Sequence, residues 1–290
     1  IGYIYVIFFS LIFNQSILFN ITETRLSANI GLGPLQIGYL CSSLIILTLY
    51  IFFQQKSPFT NVITIITTLI CFIVLLKIGS RGPFVSLIIV LLFWWYTKSN
   101  YKIIFLGIIT FLGIFLSIFI DQIILFISSF APIFATRFSS TLFEGDSSGR
   151  EILYDNAIEV FFNSPFIGEQ FAFFYSGNII YTHNIFIDIA IGLGVIGLLL
   201  FCIIFFKNIK SIKYSVKKNQ PTYWIYLILL QEYIGLQFSS SIYYNTLFNG
   251  LIAYTLLDIY YNYEKNNARL WYKTRGYKSS TCYQRATKTP

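Results

Sequence analysis

NIFIDIAIGLGVIGLLLFCIIFF, residues 184–206, is an apolar run with a single acid, Asp188, near its start. A helix crossing a bilayer needs about 20 such residues, because each rises ~1.5 Å against a hydrocarbon core ~30 Å thick. The run therefore reads as a spanning helix. Similar runs, bounded by polar residues or by Gly and Pro, fall at 1–19, 35–53, 61–78, 83–97, 103–127, 222–240 and 242–260. Composition agrees: 56% of the 290 residues are hydrophobic, 11% are charged and mean hydropathy is +0.68, whereas soluble domains carry about 25% charged residues. The expected fold class is all-α, a polytopic transmembrane helical bundle of about eight spans. One large extracytoplasmic loop containing a short amphipathic helix completes it.

Charge orients these spans. KNIKSIKYSVKKNQP (207–221) holds Lys207, Lys210, Lys213, Lys217 and Lys218 and no acid, which assigns it to the cytoplasm by the positive-inside rule. Alternation then puts 54–60 and 98–102 inside, and the loop 20–34, the turn 77–83 and the segment 128–183 outside. The chain divides into helices one to five (1–127), the large extracytoplasmic loop (128–183), helices six to eight (184–260) and a basic cytoplasmic tail (261–290). The net charge of +8 gathers in the lysine loop and the tail, where it suits anionic lipid; nucleic acid is not an expected partner. Cys41, Cys71, Cys202 and Cys282 lack CxxC spacing and read as small apolar residues, not as a disulfide or zinc framework. The chain starts at Ile1, contains no Met and has no basic segment ahead of its first apolar run. The expectation is an interior or C-terminal part of a longer protein, without a signal peptide.

Several motifs carry chemistry and an ordinary alternative together. Gly192, Gly194 and Gly197 match G-x-G-x-x-G, but a dinucleotide fingerprint needs a preceding strand. Here the small residues, with Ala190, are expected to let another helix approach. KIGSRGPF (77–84) joins two helices: Ser80 or Gly82 can begin the second, Pro83 suits its first turn, and the N–H groups there favour an anion. Arg81 adds a planar fork that fits phosphate bidentately, or else snorkels to headgroups. A loop helix is expected from about 150 to 162, capped by Ser147 or Ser148, with Glu151, Asp155 and Glu159 along a solvated face. Arg150 heads that helix, where the macrodipole disfavours a cation, so a bound anion or a surface pair with Asp146 compensates it. SPFIGEQF (164–171) reads as a turn into an aromatic interfacial stretch. His183, the one histidine in the chain, precedes Asn184 and Asp188. It can accept a proton from a hydroxyl, or simply flank helix six with Thr182 and Asn184. Asp121 and Glu232 lie inside expected spans, where a carboxylate is costly; Glu232, near Gln231 and Gln237, is the feature that favours a transporter.

Taken in order, SRGP (80–83) in an outward turn, GR (149–150) heading a loop helix, NSPFIG (163–168) after it, and HN (183–184) opening a helix that continues GLGVIGLLLF form a series. It resembles the bacterial O-antigen ligase and O-antigen polymerase family over about residues 60–206. The resemblance implies a multi-pass enzyme of the bacterial plasma (inner) membrane with its active site on the extracytoplasmic side. Such enzymes take an undecaprenyl-diphosphate-linked glycan and join it to an acceptor glycan or to lipid A-core; the lipid bilayer and a chain-length regulator are further partners. It also implies that Arg81 and Arg150 bind the diphosphate and that His183 is the catalytic residue that activates or positions the acceptor hydroxyl. Ser80, Gly82, Asn184 and Asp188 are supporting residues. No cofactor and no metal are expected, since the sequence holds no His cluster or Asp-x-Asp pair and two arginines can stabilise the leaving diphosphate. The leading expectation is a repeat-unit polymerase, with a ligase as alternative and a polyprenyl-linked glycan transporter as the alternative of another class.

Overall fold

The computed structural model describes residues 34–55, 57–143, 150–170, 173–175, 178–239, 241–243 and 245–274. The expected span at 1–19, the cap candidates Ser147 and Ser148, Asp146 and Cys282 lie outside the described residues. Those described form α1 (Pro34–Gln54), α2 (Pro58–Ile78), α3 (Arg81–Lys98), α4 (Lys102–Ile118), α5 (Ile120–Ser128), α6 (Pro132–Phe143) and α7 (Arg150–Asn163). After the strands β1 (Phe173–Tyr175) and β2 (Asn178–Ile180) come α8 (Ile185–Lys217), α9 (Tyr223–Gly235) and α10 (Thr246–Thr274). The strands pair antiparallel, Phe173 opposite Ile180. The protein is helical as expected; the hairpin was not foreseen, although the Ser-Gly pair between two β-prone triplets carries turn chemistry.

The main core follows from helical periodicity. Ile37, Cys41, Leu44 and Ile45 of α1 recur every three or four residues, as do Cys71, Val74, Leu75 and Ile78 of α2 and Leu87, Val90 and Trp94 of α3. These stripes pack together with Tyr223, Tyr226 and Leu227 of α9. A second cluster joins Ile185, Ile189 and Phe201 of α8 to Leu229, Tyr233 and Leu236, with Phe248 of α10. α9 is thus shared between both clusters and is apolar all round because it is enclosed all round. Polar side chains sew the same contacts: the Thr48 and Thr68 hydroxyls are 2.8 Å apart, and Gln231 Nε2 donates to Ser43 Oγ at 3.0 Å.

Among the described residues, α1, α2 and α8 are long and apolar enough to cross a membrane, and α4 with α5, bent by 69°, would make a fourth crossing. The eight expected crossings are therefore seen in part. The run 103–127 breaks at Phe119, and Asp121 stands exposed in the first turn of α5 instead of inside a continuous span. The run 222–240 yields only the 13 residues of α9, roughly 20 Å of helix and short of a full crossing. Its hydrophobicity answers to the protein core, not to lipid. By contrast Ile103, Phe111, Ile118 and Leu125 point outward from α4 and α5 and Phe59 and Leu69 from α2, a distribution that a bilayer, not water, accommodates. Cys41, Cys71 and Cys202 are thiols, the first two fully buried, in keeping with the apolar role read from the sequence.

α8 departs most from expectation. It extends through Lys207, Lys210 and Lys213 to Lys217, so the lysine stretch 207–217 is helical and only a short link precedes α9. It is also broken at Gly194, whose φ of 62° and ψ of −166° are not helical. No second helix uses the small residues there. The loop after α7 enters the break: Val195 N–H donates to the Pro165 carbonyl at 2.8 Å and Glu169 N–H to the Ile191 carbonyl at 2.9 Å. The glycines admit a backbone, which needs closer approach than helix packing does.

Candidate functional site

Arg81 is the first residue of α3, and the turn before it explains why. Gly79 closes α2 in the left-handed region (φ 66°), its N–H donating to the Leu76 carbonyl at 3.2 Å, and Ser80 follows in extended conformation as the N-cap. Ser80 holds the N-cap position and is buried, but its side chain makes no capping hydrogen bond, so the capping role expected of its hydroxyl is corrected. Arg81 Nη1 donates to the Arg137 carbonyl at 3.0 Å, which ties α3 to α6. Gly82 gives close approach: a Cβ there would lie 3.0 Å from the Tyr39 hydroxyl and 3.4 Å from both Phe238 Cβ and Ser239 Oγ.

Arg150 opens α7, again at a helix N-terminus, where N–H groups without intrahelical partners favour an anion. Its Nη2 donates to the Phe238 carbonyl at 2.7 Å. Glu151, Asp155 and Glu159 are exposed along α7, as the solvated face required. The opposite face buries Ala157 against Ile191 of α8, with Leu153, Val160, Phe161 and Ile187 around them.

His183 stands between two hydrogen-bonded anchors. Asp188, fully buried, accepts from Thr182 N–H at 3.1 Å and from Thr182 Oγ1 at 2.6 Å, and Thr182 Oγ1 accepts from Asn184 N–H at 3.2 Å. Asn184 caps α8, its Oδ1 accepting from Phe186 N–H at 3.0 Å and Ile187 N–H at 3.3 Å. Between them His183 takes φ 58°, a left-handed conformation that His tolerates better than most side chains. Its ring lies edge to face with Tyr181, centroids 4.5 Å apart, and Nδ1 is buried without a partner. That leaves Nε2 as the nitrogen to meet a hydroxyl. Burial, and then the charge of Arg150, hold the imidazole below its ordinary value of 6.5. Asp188 Oδ2 closes no hydrogen bond, although Ser241 and Ile242 N–H lie beside it. Asn184→Ala removes the cap and is expected to cost about 1 kcal/mol, read as a lower midpoint of thermal unfolding in detergent with the helix content of the folded protein unchanged.

The segment 235–242 brings these pieces together, and sequence reasoning missed it because it lay at the seam of two apolar runs. Gly82 packs on Phe238 and Ser239, Arg150 holds the Phe238 carbonyl, and Ile185 N–H, two residues after His183, donates to the Leu236 carbonyl at 3.1 Å. Tyr39 of α1 joins from below: its hydroxyl donates to the Gly235 carbonyl at 3.1 Å and lies 2.7 Å from Ser239 Oγ, within the field of Glu232 and Arg150. Arg137 was likewise missed; it is a further cation, half-buried, whose carbonyl receives Arg81. An apolar groove of about 390 Å³ opens alongside, lined by Ile189, Leu193, Gly197, Leu200, Phe201 and Ile242 among others.

Against this site, the O-antigen ligase family model matches residues 66–202. The chain carries an O-antigen ligase family domain. Searches of the curated proteins and of the solved structures give no significant match. The O-antigen ligase domain starts within α2 and ends within α8, so it contains Arg81, Arg150 and His183 but not the segment 235–242 against which their surroundings pack.

Glu232, the residue that favoured a transporter, does not line an open path. It is buried in the last turns of α9, and its Oε2 accepts from Asn245 Nδ2 at 2.7 Å, bracing the two ends of the segment that follows. Glu232→Gln keeps an acceptor for Asn245 and is expected to leave glycan transfer within a few-fold of wild type. Glu232→Leu strands the Asn245 amide at a cost of about 1–3 kcal/mol. Transfer assays on both proteins, normalised to folded protein, check the pair of outcomes.

Proposed function

We propose that this membrane protein polymerises undecaprenyl-diphosphate-linked oligosaccharide repeat units of a surface polysaccharide on the extracytoplasmic side of the bacterial inner membrane. Arg81 and Arg150 hold the diphosphate; His183 serves the acceptor. The acceptor hydroxyl oxygen attacks the anomeric carbon, its proton passes to His183 Nε2, and the carbon–oxygen bond to the diphosphate breaks, with its electron pair leaving on the phosphate oxygen. No metal takes part in these steps. The observation that carries the reading is the convergence of both helix-opening arginines and His183 on one segment, 235–242, from three separate stretches of chain. The adjoining apolar groove suits an isoprenoid chain entering from the lipid side.

The test is a reconstituted assay in which purified protein in lipid receives undecaprenyl-diphosphate-linked repeat unit, with and without lipid A-core. Elongated glycan on the carrier supports polymerisation. Transfer to lipid A-core alone makes the protein a ligase, and carrier translocation without a new glycosidic bond makes it a transporter.

A further inference from the structure

We propose that residues 165–170 and the break in α8 form a backbone clasp that sets Arg150 against His183, with Gly168 and Gly194 as positioning residues. The inference builds on the site assigned in the proposed reading but is read out without any glycan.

Four backbone hydrogen bonds make the clasp: Val195 N–H to the Pro165 carbonyl at 2.8 Å, Ile196 N–H to the Phe166 carbonyl at 3.4 Å, and Glu169 and Gln170 N–H to the Ile191 carbonyl at 2.9 and 3.3 Å. They occupy helix groups that the break leaves without intrahelical partners, which near a bilayer must find partners within the protein. Both glycines take positive φ, 78° at Gly168 and 62° at Gly194. A Cβ at Gly168 would lie 2.4 Å from Gly192 C and Leu193 N, and one at Gly194 would lie 2.3 Å from Phe166 C and O. The listed neighbours are backbone, so nothing can rotate out of the way, and only glycine on each side allows the approach.

The clasp sits at one end of the α7–α8 contact. Ala157 and Ile191 fill its middle with 0% and 1% exposure, and the other end carries Arg150 on α7 and His183 just ahead of α8. The two helices are therefore pinned together at the glycines, packed along their length, and bear the two functional side chains where they begin. The groups that face His183 are Arg150 from α7 and Tyr181 from its own segment, while the Asp188 carboxylate of α8 is engaged by Thr182. A shift of α7 along or away from α8 moves Arg150 relative to the imidazole, and misplacement of about 1 Å at a catalytic pair costs on the order of 10²-fold in rate.

His183 is the one histidine in the sequence, so the full chain labelled with ¹⁵N-histidine in lipid nanodiscs gives a single imidazole titration by NMR. Wild type is expected to titrate below 6.5, and Arg150→Gln to titrate higher. Gly194→Ala is expected to move the midpoint upward in the same direction, because the clasp no longer holds the cation in place. Added to Arg150→Gln, it is expected to produce no further rise. Gly113→Ala on α4, where a Cβ meets nothing within 4 Å, is expected to titrate as wild type. Should Gly194→Ala fail to fold, Ile191→Ala loosens the same contact through a side chain and carries the same expectation. A folded clasp variant with the wild-type midpoint overturns the proposal, as does an equal shift with and without Arg150. Neither result depends on whether the protein polymerises, ligates or transports glycan.

Discussion

Arg81→Ala is expected to abolish polymer formation in a protein that still reaches the membrane, and Arg81→Lys not to restore it. As the carrier diphosphate departs, negative charge gathers on its oxygens, and removal of one preorganised donor of this kind typically costs ~10²–10³-fold in rate. Lysine keeps the charge but not the geometry. The guanidinium spends Nη1 on the Arg137 carbonyl at 3.0 Å, and its planar fork can hold that carbonyl and a phosphate together, whereas an ammonium on a flexible stem cannot fix both. Arg150→Ala is expected to match it, since Arg150 is likewise held by a carbonyl, that of Phe238. The measurement is chain elongation per folded enzyme in reconstituted membranes. Near-wild-type polymer from a well-expressed Arg81→Ala protein would falsify the diphosphate role.

His183→Asn is expected to lower kcat by ~10²–10⁴-fold, the usual contribution of a general base, with membrane insertion and thermal stability preserved. Asparagine is the informative substitution, because it tolerates the left-handed backbone that His183 adopts at φ 58° yet offers no base. The pH profile gives an independent sign. Burial and Arg150 lower the imidazole pKa, so the neutral, proton-accepting form persists below pH 6.5 and the rate falls only as pH drops through that lowered value. Arg150→Gln relieves part of the depression and is expected to move the acid limb of the residual activity toward higher pH. An acid limb that survives unchanged in His183→Asn would assign the base elsewhere.

Which of these features the sequence could show depends on the range of the forces behind them. The helices α1 to α3 were legible nearly to the residue, because Pro34, Pro58 and the Gly79–Ser80 turn punctuate apolar runs by local backbone chemistry. The motifs at 80–83, 149–150 and 183–184 were legible as well, since each is a short cluster of unusual residues beside a helix start. The glycines of 192–197 were seen and misread: their spacing suits helix packing, and nothing local announces that the backbone of 165–170 enters there. α9 misled for a related reason. Apolarity over 222–240 looks the same whether lipid or protein surrounds the helix, and the break after Gly235 answers to contacts with Tyr39, 196 residues away in sequence.

By itself, then, the sequence determined a helical membrane protein, the order of its three functional motifs and the chemistry each could perform, because burial of apolar runs and the preferences of Gly, Pro, Arg and His act over a few residues. Only the tertiary structure decided that 235–242 is the surface on which those motifs meet, that Glu232 braces it, and that α8 breaks to receive a loop. Each of these rests on hydrogen bonds and packing between segments far apart in the chain, and such contacts exist only once the whole fold has closed around them.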